Sequence, residues 1–113
     1  MSNFFGASLD FFNVTEADVA WSELLDEVME VQTMSGRGRG RARRAIKQQV
    51  LGFMLRCTSI QNAVSKKIKD QNGDTVINPE WTEWQAYKRD CKDQYDALLE
   101  AKEDMKYEIE SPW

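Results

Sequence analysis

Residues 41–71, RARRAIKQQVLGFMLRCTSIQNAVSKKIKDQ, decide how this chain folds. Ile46, Val50, Phe53, Cys57, Ile60 and Val64 recur there at alternating steps of four and three, the spacing that aligns side chains along one seam of a helix. The spacing predicts one long helix over about 41–71. A narrow apolar seam is stable only when another element covers it.

The chain supplies two such elements. Downstream, Asn72-Gly73 marks a turn, and Asn78-Pro79 supplies a cap and a first helical residue. A helix is predicted over about 79–110, with Trp84, Cys91, Tyr95, Leu98, Met105 and Ile109 on one seam and Trp81, Tyr87 and Leu99 beside it. Ser111-Pro112 ends it, because the residue before a proline is pushed out of helical geometry. Upstream, Asn13 with Glu16, or Thr15 with Asp18, forms a capping pair that opens a shorter helix over about 14–34. Its seam is Ala17, Trp21, Leu24, Val28 and Val31. The expected fold class is therefore all-α: a long antiparallel helical hairpin of 41–71 and 79–110, plus the N-terminal helix. All of it lies in a single helical domain of 113 residues.

Charge is segregated along the chain. Residues 1–34 hold seven acids and no base, residues 35–70 ten bases and one acid, and residues 71–113 eleven acids and five bases. Folding the two long helices about Thr75 sets Arg41–Arg44 beside Glu103, Asp104, Glu108 and Glu110, and Lys66, Lys67 and Lys69 beside Glu80 and Glu83. Exposed pairs of this kind are each worth about 0–1 kcal/mol, so they select direction more than they stabilise. The same register brings Cys57 near Cys91, as two buried thiols acting as small hydrophobes.

Two stretches point outward. The N-terminal arm, residues 1–13, carries Phe4, Phe5, Phe11 and Phe12, and Trp113 stands at the other end. These aromatics either fold over the helices or dock into a protein partner. The glycine-arginine joint, SGRGRG at 35–40, runs into the helix start, so that Arg37, Arg39, Arg41, Arg43, Arg44 and Lys47 can follow a phosphate backbone without reading bases. Cations at a helix N-terminus oppose the helix dipole, so this run requires an anionic neighbour, in the chain or on a ligand.

Other chemistries are disfavoured. The chain has no His, and Cys57 and Cys91 match neither a zinc pattern nor a disulfide framework, so neither catalysis nor a cofactor is expected. Asp70, Asn72, Asp74 and Ile77 sit at EF-hand positions, but Thr75 stands where glycine is needed and Trp81 where the bidentate glutamate belongs. A polar turn is the expected outcome. The longest apolar run, Val50–Leu55, falls far short of the roughly 20 residues that span a bilayer. The first residues lack the basic start of a secretory signal, so cytoplasmic synthesis and no membrane association are expected.

Glu83-Trp84-Gln85-Ala86-Tyr87-Lys88-Arg89-Asp90-Cys91-Lys92-Asp93 resembles the C-terminal helix motif of tailed-phage tail-fibre assembly proteins, with Cys91 where that motif usually has leucine. The resemblance implies a virion or its assembly as the setting. Together these features suggest a non-enzymatic subunit or assembly factor that binds protein partners as a homo- or hetero-oligomer. Nucleic-acid binding through the 37–47 run is the alternative.

Overall fold

The computed structural model describes residues 10–100, apart from the side chain of Glu100. Three helices, α1 (Val14–Thr33), α2 (Arg39–Ala63) and α3 (Pro79–Glu100), enclose one core. Strands β1 (Lys67–Lys69) and β2 (Thr75–Ile77) stand between α2 and α3. The protein is thus mostly helical with a small sheet, and the expected continuous helix to Gln71 is corrected: α2 stops at Ala63.

The stop has a local cause. Val64 leaves the helix in extended geometry with its N–H on the Gln61 carbonyl, and beyond it the apolar spacing changes from helical to alternating. Lys67-Ile68-Lys69 and Thr75-Val76-Ile77 then pair antiparallel, with Lys67 opposite Ile77, Ile68 opposite Val76 and Lys69 opposite Thr75. The Asp70 side chain accepts the N–H groups of Asn72 and Asp74, both at 2.9 Å, and Gly73 takes φ +83°, which a Cβ would resist. Asn78 closes the base. Its amide nitrogen donates to the Ser65 carbonyl, its backbone N–H to that of Lys66, and its side-chain oxygen caps α3 by accepting from the Glu80 N–H.

Helix α1 starts as the capping pair predicts, with the Glu16 N–H on Asn13 Oδ1 at 2.8 Å and the Glu16 carboxylate accepting the Phe12 N–H. Helix α2 begins at Arg39, earlier than the joint over 35–40 implied. Its N-cap is Gly38 at φ +87°, with no side chain to satisfy the first amides. The predicted third helix is seen to Glu100, and its proposed remainder to 110 lies outside the described residues.

The core is aromatic at its centre. Phe53 meets Trp21 at 4.9 Å, Phe11 at 5.2 Å and Tyr87 at 6.4 Å between ring centroids, and Phe11 stacks on Trp84. Ala17, Leu24 and Val28 from α1, Ile46, Val50 and Cys57 from α2, and Cys91 and Tyr95 from α3 complete it. Two of the predicted seam residues, Ile60 and Leu98, are half-buried and pack against this cluster, as does Val31. Burying these side chains supplies most of the folding free energy, at about 25 cal/mol per Å² of apolar surface removed from water.

Three buried glutamines join the helices at the edges of the core. Gln61 Nε2 donates to Gln85 Oε1 at 2.8 Å and to the Trp81 carbonyl, while Gln61 Oε1 accepts from Lys88 Nζ at 2.7 Å. Gln32 reaches the Leu98 carbonyl from α1, and Gln49 is buried on α2. Trp21 Nε1 donates to Gln94 Oε1 at 2.7 Å, which pins α1 to α3.

Candidate interaction surfaces

The aromatic residues expected to meet a partner divide. Phe11 is 1% exposed inside the chain's own core, so it is corrected from a partner contact to a packing residue. Phe12 is 69% exposed and lies under the Arg56 guanidinium, 5.0 Å from ring centroid to cation. Arg56 fastens the arm from α2 by donating to the Phe11 carbonyl at 2.7 Å. Phe4, Phe5 and Trp113 lie outside the described residues.

The basic run occupies the joint and the first turns of α2. Arg37, Arg41 and Arg44 are exposed, whereas Arg39, Arg43 and Lys47 are half-buried. The Nε atoms of Arg39 and Arg43 and Nη2 of Arg39 are buried without a hydrogen-bond partner among the described residues. Glu103, Asp104, Glu108 and Glu110, expected beside them, lie outside those residues. The second expected set of charge pairs is corrected. Lys66 Nζ sits 4.7 Å above the Trp81 ring, and Lys69 Nζ donates to Thr75 Oγ1 at 3.0 Å, because β1 turns these lysines off the helical face that would have carried them to Glu80 and Glu83.

The hairpin was not foreseen and is the most exposed part of the molecule. Every residue from Ser65 to Ile77 is exposed. Strand alternation puts Lys67, Lys69, Thr75 and Ile77 on one face and Ile68 with Val76 on the other. Neither face is covered by a helix, although Ile68, Val76 and Ile77 are apolar. The signal was present in the β-branched run Thr75-Val76-Ile77 after a turn sequence. The turn itself shows no EF-hand arrangement: Asp70 is engaged by backbone amides, and among the described residues no group of three acids or cysteines gathers as for a metal ion.

Two further surfaces lie on the helices. Between α2 and α3 a groove is floored by Leu51 and Met54 and flanked by Gln85, Lys88, Arg89 and Lys92. Leu55, 61% exposed, stands one turn along α2 from Leu51. On α1, the face opposite the buried seam carries Val19, 60% exposed, with Glu23, Asp26 and Glu30 in line with it at helical spacing. Phe11, Val19 and Ala20 there form an apolar depression edged by Asp10, Glu16 and Glu23.

The two cysteines are buried free thiols. Burial pushes Cys57 up to about 12, with the neighbouring Cys91 adding to it, and burial likewise pushes Cys91 up to about 12. The Tyr87 hydroxyl, raised chiefly by burial, interacts with Cys91 and donates to Asp18 Oδ1 at 3.3 Å. Thiols held neutral in this way are poor nucleophiles. No helix among the described residues is long and apolar enough to cross a membrane.

No family model, curated protein or solved structure matches this chain.

Proposed function

We propose that this protein is a non-enzymatic interaction subunit or assembly factor that uses its β-hairpin to engage a protein partner. The uncovered hairpin carries this reading. An isolated two-stranded sheet is marginally stable in water, and exposing Ile68, Val76 and Ile77 on it has a cost that a partner would remove. Helices α2 and α3, running antiparallel as the structural frame, present it at one end. The resemblance of residues 83–93 to the tail-fibre assembly motif supports a tailed-phage virion as the larger complex. Within this chain the same pattern also serves packing, since Trp84 and Cys91 are core residues.

Native mass spectrometry of the protein isolated from its own source tests the reading. A species heavier than one chain, containing a second polypeptide, is expected. The doubly substituted Ile68→Asp/Val76→Asp protein should lose that polypeptide while keeping its helical circular dichroism. A lone chain, or a substituted protein that retains the partner, would overturn it.

A second reading is favoured by one observation: Arg37, Arg41 and Arg44 are exposed together on an uncapped helix start. On this reading the run grips nucleic-acid phosphates. Binding to single-stranded DNA should weaken with a log–log salt slope that falls by about 0.7 for each arginine replaced by glutamine. No binding at low salt eliminates it.

A further inference from the structure

We propose that a second copy of this chain lays the outer face of its α1 into the groove between α2 and α3, so that copies associate head to tail. The two surfaces are opposite in charge and alike in design. The groove has an apolar floor, Leu51 and Met54, and its flanking charged residues are Lys88, Arg89 and Lys92, with no acid among its described lining. The outer stripe of α1 has Val19 as an apolar knob and Glu23, Asp26 and Glu30 along it, and α1 contains no Lys or Arg.

An amphipathic helix seated in an apolar groove is a recurrent docking mode, and flanking charges set its partner and direction. Like charge opposes the alternatives. Groove against groove would face cations with cations, and α1 against α1 would face acids with acids. The remaining pairing joins different patches of the two copies, which produces a ring if the rotation closes and a filament if it does not. Crowding of acids on α1 is independently visible at Glu27, whose carboxyl is raised by partial burial and by Glu30 and Glu23. A cationic neighbour would relieve it.

This surface shares no residue with the hairpin, so its failure leaves the hairpin reading standing, and the reverse. Sedimentation velocity on the full chain at low salt provides the test. The wild-type average mass should exceed one chain, rise with concentration and fall with added salt. Arg89→Glu/Lys92→Glu, which spares Lys88 because it holds Gln61, should weaken association at least about tenfold. Glu23→Lys/Asp26→Lys/Glu30→Lys should do the same, and an equimolar mixture of the two variants should recover assembly. Val19→Asp, at a site too exposed to disturb the core, should also abolish it. A wild-type protein that stays a single chain at low salt, variants that assemble like wild type, or a mixture of folded variants that does not recover assembly would each overturn the proposal.

Discussion

Phe53 shows how a single position organises this molecule. It is fully buried and its ring touches aromatics from the arm, α1 and α3, so three segments distant in sequence meet on one side chain. Its place on the seam was legible from spacing, as were Trp21, Leu24, Val28, Ile46, Val50, Cys57, Trp84, Cys91 and Tyr95, all buried as expected. The glutamines were not legible. Gln61 follows Cys57 by four and Gln49 precedes Phe53 by four, so both fall on the seam, but a polar residue on a helix reads as surface unless its partners are known. Gln85 and Lys88 of α3 satisfy Gln61, and they lie 24 and 27 residues away.

The thiols lead to a pH prediction at the same scale. Cys57 and Cys91 are near 12 in the folded protein against an ordinary 9.0, so the unfolded chain loses these protons first as pH rises. Their stabilising contribution is complete below about pH 9 and is lost between there and about 12. The urea midpoint is expected to fall from pH 8 to pH 10.5 by more in the wild type than in a Cys57→Ala/Cys91→Ala variant measured alongside. Equal falls would show that the thiols titrate as if exposed.

Among the elements, the boundary between α2 and β1 is where periodicity misled. Ile60 and Val64 continue the four-three rhythm, and nothing between Val64 and Gln71 breaks a helix, so the seam reads straight through. What decides against the helix is farther on. Asn78 ties Ser65 and Lys66 to the start of α3, and the β-branched residues of β2 give Lys67–Lys69 a strand to pair with. One side chain therefore serves both elements. Asn78→Ala should destabilise the protein by about 1–2 kcal/mol as a lost cap. Amide exchange should quicken across 65–78 more than in the α1–α2 contact, and uniform quickening would assign Asn78 to the cap only.

For the whole molecule, charge order was readable before the fold, and its spatial meaning only after it. The acidic first segment becomes α1, whose acids stand on the face turned away from the core. The basic middle splits into three places: the α2 start, the arm clasp at Arg56 and the lysines of β1. A net charge of −4 therefore describes no single surface of this protein. Salt is expected to act on each patch separately, and so the arginine and groove variants proposed above should differ in salt response.

The five-residue loop from Asp70 to Asp74 supports itself through its own amides and touches no part of the helical core. It is accordingly a natural graft point. Entropy penalises a longer loop by only about 0.6 kcal/mol per doubling, so a foreign peptide or fluorescent tag could be spliced there with little effect on the helices. Variation in length at this tip is what the architecture tolerates best, and a lineage of such proteins could exchange recognition sequences there while keeping the body unchanged.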